Sequence, residues 1–220
     1  MAIILCIETA TTNCSVALSV DGNIIALKED YNNQYSHAER LHLYIEELLL
    51  KNNISKLELD AIAVSKGPGS YTGLRIGVSS AKGLCFALEI PLISIPTLDS
   101  LAYQIKENNG IIISMLDARR MEVYSAIYNA EDKHQIRETK ADILDENSFS
   151  EYLEKGIVYF LGDGVEKFKA ICTHKNAVFT EGKLPSANEM GLLANKKFKN
   201  SDFEDVAYFE PYYLKDFILG

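Results

Sequence analysis

Nowhere in this chain does an apolar run approach the ~20 residues that a membrane-spanning helix needs. The cysteines are few and scattered: Cys6, Cys14, Cys85 and Cys172 contain no Cys-x-x-Cys pair. The amino terminus reads directly into a strand, without a basic and apolar leader. Reduced thiols and a cytoplasmic location are the expectation. Cations are in deficit as well, with 22 Lys and Arg against 31 Asp and Glu and a formal net charge of −9. That balance opposes unaided binding to a polyanion, because nucleic-acid affinity comes mainly from Lys and Arg that release counterions from phosphates. If the protein serves RNA, something else holds the RNA. What is present is ordinary globular material: 220 residues, 47% hydrophobic and 24% charged, enough for one large domain or two small ones.

The most informative stretch is Lys66-Gly67-Pro68-Gly69-Ser70-Tyr71-Thr72-Gly73-Leu74-Arg75-Ile76-Gly77. An apolar strand, Ala61 to Lys66, leads into it. A helix from about Gly73 to Leu88 follows, with Leu74, Val78, Ala81, Leu84, Cys85 and Leu88 at helical spacing. Glycine enters positive φ without steric cost and Pro68 fixes its own φ, so the turn is sharp and rigid. Its backbone N–H groups and the helix start suit a phosphoryl group or a protein surface. The same residues also serve as a tight connection with no ligand. No Gly-Lys-Ser/Thr closes the loop, which excludes a Walker A motif, and no convincing acidic ribose partner supports a dinucleotide fingerprint.

The order of elements repeats. Ile3 to Ile7, Cys14 to Val20 and Ile24 to Glu29 read as strands, with Asp21-Gly22 as the hairpin turn. A helix from about Ser36 to Lys51 follows, with Leu41, Tyr44, Ile45, Leu48 and Leu49 on one side; then come the loop strand, its helix and a strand at Pro91 to Ile95. The second half restarts at Ile111 to Asp117. Strands at Glu122 to Asn129 and near His134 to Ala141, a short helix at Ser148 to Glu154, a strand at Val158 to Leu161, the turn Gly162-Asp163-Gly164 and a helix from Val165 to Cys172 complete it. An α/β protein of two βββαβα units is predicted, at residues 1–107 and 108–220, with the boundary near Asn108-Asn109-Gly110.

Candidates for chemistry are sparse. His37 and His42 lie about 140° apart on a helix and do not converge on a metal; His134 and His174 are isolated. No metal site is expected. Ser70 sits in Gly-Ser-Tyr, not in a nucleophile elbow. Glu8 and Asp117 end the first strands of the two halves, where carboxylates hold magnesium or cap turns. An ATP-dependent phosphotransferase would use both acids with the loops at Gly67 and Gly162. Alternatively, Asp117 pairs with neighbouring Arg119 or Arg120.

Taken in order, Ile4-Leu5-Cys6-Ile7-Glu8-Thr9-Ala10, Cys14-Ser15-Val16-Ala17-Leu18, the glycine loop through Gly77, Ala81-Lys82-Gly83-Leu84, Asp117-Ala118-Arg119-Arg120-Met121-Glu122-Val123-Tyr124, Gly162-Asp163-Gly164 and Pro211-Tyr212-Tyr213-Leu214 resemble the TsaB (YeaZ) family. These are accessory subunits of the bacterial machinery that makes N6-threonylcarbamoyladenosine in tRNA. The resemblance covers nearly the whole chain and implies the actin, hexokinase and Hsp70-like fold of two RNase H-like units. It also implies pairing with the catalytic subunit TsaD, assembly with the ATPase TsaE, a homodimer when alone, and contact with tRNA only through the complex. ATP and magnesium would be handled by TsaE or at the assembled complex, with no cofactor of the chain's own. The implied contact lies on the first unit's helices, giving Leu41, Tyr44, Ile45, Leu48, Leu74, Val78 and Ala81 as interface candidates; these positions fit core packing equally well. The loop from Gly67 to Gly73 and Arg75 would be architectural or face the assembly or a nucleotide. Where the catalytic relative carries a His-x-x-x-His metal pair, this chain has Thr97 and Leu101, which implies a non-catalytic subunit. Two positions depart from the family pattern: Glu8 replaces the usual aspartate, and Lys215 follows Leu214 where arginine is commoner.

Overall fold

The structure, a computed structural model, describes residues 1–31 and 37–215. It divides the chain into two compact units, one of residues 1–100 with 185–220 and one of residues 101–184.

In the first unit, β1 (Ile3–Glu8), β2 (Cys14–Val20) and β3 (Asn23–Asp30) form an antiparallel meander. The chain then passes through α1 (His37–Lys51), β4 (Ala61–Gly67), α2 (Tyr71–Leu88), β5 (Leu92–Pro96) and α3 (Thr97–Ala102). The sheet order is β3-β2-β1-β4-β5, with β4 parallel to both β1 and β5. Side chains alternate across a strand, and both faces of this sheet are covered. Leu5, Ile7, Ile62 and Val64 point into a core closed by Leu41, Ile45, Leu48, Val78 and Ala81 of α1 and α2. Ile4, Cys6, Ala61 and Ala63 point the other way, against Ala187, Met190 and Ala194 around α6 (Met190–Lys199). Double-sided burial explains why β1 and β4 read as continuous apolar runs, whereas the edge strand β3 alternates between exposed and half-buried residues.

The second unit repeats the scheme. It contains β6 (Ile111–Asp117), β7 (Glu122–Asn129), β8 (Gln135–Ile143), α4 (Ser150–Leu153), β9 (Val158–Leu161), α5 (Val165–Lys169) and β10 (Ala177–Thr180). Its order is β10-β9-β6-β7-β8, the first unit's arrangement with β6 in the place of β1. Phe149, Phe160, Phe168 and Phe179 fill its core, with ring centroids 4.9 to 6.1 Å apart.

Strand and helix positions agree with the sequence to within a few residues, except that Ser36, the expected start of α1, lies outside the described residues. The short α3 falls at Thr97 and Leu101, where a helix is expected after β5, whereas β10 and α6 are additions that the apolar spacing did not announce. The domain boundary also differs from the expected 1–107 and 108–220, because the chain after residue 184 returns to the first unit. There α6 covers one face of its sheet, Glu204 N donates to Leu92 O at 2.8 Å, and Tyr212 N donates to Lys66 O at 2.7 Å.

Candidate functional site

The glycine loop is shaped by what it lies against. A Cβ added to Gly69 would sit 2.5 Å from Ala10 O; at Gly73 it would sit 2.1 Å from Thr9 O, and at Gly77 2.2 Å from Thr9 Oγ1. The loop and the first turns of α2 therefore rest on the backbone that leaves β1. Hydrogen bonds seal this contact: Ser70 N donates to Ala10 O at 2.7 Å, and Thr9 Oγ1 donates to Gly73 O at 2.8 Å. Ser70 caps α2, its Oγ accepting from Gly73 N at 3.2 Å. Gly67 has φ +108°, and its α-carbon faces Tyr212 O of the returning tail, which a Cβ would approach to 2.7 Å. Gly67 and Pro68 are buried, whereas Thr72 and Arg75 are exposed and Tyr71 is half-buried. The loop was expected to offer N–H groups to a phosphate or an assembly; here those of Ser70 and Gly73 are engaged within the chain. The protein itself occupies the space under the loop.

The two strand-end acids are differently placed. Glu8 is fully buried; its Oε1 accepts from Ala10 N at 2.6 Å and from Ser65 Oγ at 2.7 Å, and its Oε2 meets no hydrogen-bond donor among the described residues. Burial pushes its carboxyl up to about 7, against weaker lowering by the bonds from Ala10, Ser65 and Thr9. A carboxylate enclosed in this way does not face a solvent-borne magnesium nucleotide, so the phosphotransferase role considered for Glu8 has no geometry behind it. Asp117 is exposed and structural: its Oδ1 accepts from Arg119 N at 2.5 Å and from Lys167 Nζ at 3.0 Å. The partner is thus a lysine of α5, not the Arg119 or Arg120 guanidinium. In the Gly162-Asp163-Gly164 turn, Asp163 Oδ1 accepts from Asp117 N at 2.8 Å. This links the turn to the end of β6.

Among the described residues, no group of three or more His, Cys, Asp or Glu is placed to hold a metal ion. His37 Nε2 is 2.8 Å from Thr11 O and His42 Nε2 is 3.2 Å from Ser80 Oγ, so the two histidines serve different contacts. Thr97 and Leu101 are both buried, and all four cysteines are buried and free.

The helix positions named for a partner need correction. Leu41, Ile45, Leu48, Leu74, Val78 and Ala81 are buried within the first unit, and Tyr44 is half-buried, donating to Asp30 at 3.1 Å. The apolar stripe is core because the sheet beneath it is apolar as well. The opposite faces of the same helices carry Leu43, Leu50 and Phe86, which are 62%, 69% and 83% exposed. Sequence reasoning passed over these three; the available signal was an apolar residue off the buried stripe. On α2, the exposed Thr72, Arg75, Ser79, Gly83 and Phe86 recur at three- and four-residue spacing and form one face. His42 and Ser80 join this face to α1.

The twice-repeated sheet order, with its antiparallel meander and two parallel strands, is the actin-like fold of two RNase H-like units. A family model described as "TsaD: tRNA N6-adenosine threonylcarbamoyltransferase" matches residues 31–218. The "tRNA threonylcarbamoyladenosine biosynthesis protein TsaB" of Escherichia coli K12 is 32% identical over 222 residues, covering 97% of this chain and 94% of that protein. Its namesake in Bacillus subtilis is 37% identical over 125 residues, 57% of this chain and 54% of that one. Among solved structures, YeaZ from Pseudomonas aeruginosa superposes with a TM-score of 0.84 at 25% identity, covering 97% of this chain and 100% of that one. The chain belongs to the TsaB (YeaZ) family.

Proposed function

We propose that this chain is a non-catalytic subunit of tRNA N6-threonylcarbamoyladenosine biosynthesis, which pairs with the threonylcarbamoyltransferase TsaD through the exposed face of α1 and α2 and assembles with the ATPase TsaE. The observation that carries the reading is the exposure of Leu43, Leu50 and Phe86 on two helices whose other sides are already buried. Large apolar side chains left exposed on neighbouring helices are a feature of interaction sites. Gly83 adds to this. A Cβ there would meet nothing within 4 Å, so internal packing does not demand glycine at a position where it weakens a helix.

On this reading the protein works by contact: the active arrangement of TsaD is favoured by the free energy of docking. ATP and magnesium are handled by TsaE or at the assembled complex, tRNA is reached only through the complex, and the isolated chain pairs with itself across the same face. The setting is the cytoplasm; no helix among the described residues is long and apolar enough to cross a membrane.

The test is tRNA threonylcarbamoylation by the cognate TsaD and TsaE with threonylcarbamoyl-adenylate, with and without this chain, beside an ATP titration of the chain alone. Modification that depends on the chain, with no ATP binding by it in isolation, is the expected result. Unchanged modification together with tight magnesium-dependent ATP binding would overturn the reading.

A further inference from the structure

Arg75 is held in place yet forms no ion pair among the described residues. Its guanidinium carbon lies 4.2 Å from the centroid of the Tyr71 ring, its Nε donates to Tyr213 Oη at 3.3 Å, and the two tyrosine rings are 5.2 Å apart. No described residue accepts a hydrogen bond from its terminal nitrogens, and no described acid forms an ion pair with it; Glu210 acts on it only through space. Of the other four arginines, Arg40 pairs with Asp30 and Arg137 with Asp142, while Arg119 and Arg120, on the turn between β6 and β7, form no ion pair with a described residue; neither of those two is held by a ring and a hydroxyl as Arg75 is. In a chain with 31 acids and 22 basic residues, this guanidinium presents a free two-pronged donor edge on the same helix face as Phe86.

Stacking and the Tyr213 bond remove much of the rotamer freedom that an arginine ordinarily loses on binding, so the donor edge is preorganised. Beside it lies an open cleft of about 550 Å³, with Ala38, Ile76 and Ser79 among its lining residues. The cleft can seat the aliphatic stem of a side chain whose head meets the guanidinium. A polyanion is a poor match, because nucleic-acid binding draws on several cations and, among the described residues, His42 is the only other basic side chain lining the cleft.

Resting on the docking face argued above, we infer that Arg75 is the residue by which this face selects its protein partner: the guanidinium pairs bidentately with a carboxylate projecting from the partner's docking segment, while the apolar residues around Phe86 supply the buried contact. Arginine and tyrosine are enriched at the few positions that dominate interface affinity, and a planar fork matches a carboxylate as a lysine ammonium does not.

The experiment measures the affinity of the full-length chain for cognate TsaD by titration calorimetry, with R75A, R75K, Y213F and F86D variants whose thermal unfolding matches the unsubstituted protein. R75A is expected to weaken pairing about thirtyfold or more, R75K about tenfold, and Y213F by less than either. F86D serves as the control for the face itself. Loss with F86D but unchanged affinity in R75A overturns the anchor and leaves the docking face standing. Unchanged affinity in F86D overturns the face, and the anchor with it. R75K equal to the unsubstituted protein overturns bidentate pairing. Weakened self-association in R75A with normal TsaD pairing identifies a second copy as the occupant, and loss of tRNA or ATP binding alone identifies a phosphate; either result overturns the proposal.

Discussion

Glu8 ends β1 with its carboxyl wholly enclosed, so its proton is tied to folding. At pH values below its ordinary 4.5 it is protonated in both folded and unfolded chains; between 4.5 and about 7 only the unfolded chain releases the proton. Stability therefore falls as pH rises through this window, by about 3 kcal/mol in all, and levels off above it. Glu8→Gln is expected to flatten that part of the profile, read by urea unfolding between pH 4.5 and 8; the same decline in both proteins would mean another group is responsible. The glycines give a second contrast. Gly73→Ala drives a Cβ into Thr9 O and is expected to cost about 3 kcal/mol or more. Gly83→Ala meets open space and is expected to stabilise the isolated chain by about 0.5–1 kcal/mol in the same assay. The sequence showed that the loop is tight. It did not show that the loop presses on Thr9 and Ala10, because that contact joins residues more than fifty positions apart.

The helices α1 and α2 are each two-faced. Periodicity located them well because a buried stripe repeats at 3.6 residues whatever lies beneath it. That logic marks a face to bury and does not say whether the chain's own sheet or a partner buries it. Leu41, Ile45, Leu48, Leu74, Val78 and Ala81 meet the sheet; Leu43, Leu50 and Phe86 do not. Leu43→Asp and Phe86→Asp are expected to leave the unfolding free energy of the isolated chain within about 0.5 kcal/mol of its starting value, while TsaD pairing in gel filtration is lost. A comparable loss of stability would place these residues in the fold instead of at an interface. The tail is clipped to α2, with Lys82 Nζ donating to Ala207 O at 3.1 Å and Phe209 O at 2.9 Å. No local pattern announces such a contact, because the tail segment is irregular and contributes only backbone carbonyls to it, which any residue could supply.

Across the molecule, the first unit is discontinuous. Met190 is fully buried on the face of its sheet opposite α1 and α2, and Met190→Ala is expected to cost about 2–5 kcal/mol by thermal or urea unfolding. A chain ending at residue 184 would uncover Ile4, Cys6, Ala61, Ala63, Ile93 and Ile95, so cooperative unfolding of the first unit should disappear from its melting curve; a normal transition would show that α6 is dispensable. The sequence by itself determined every strand but β10, the two long helices, the tight loop and the repeat of one element order across two halves, since each follows from the spacing of apolar residues and turn formers within a short stretch. Only the tertiary structure decided that residues 185–215 return to the first unit, that Glu8 is sealed, and which sides of α1 and α2 remain open. Those outcomes depend on which distant surface reaches a residue first, and apolar spacing along the chain carries no record of that.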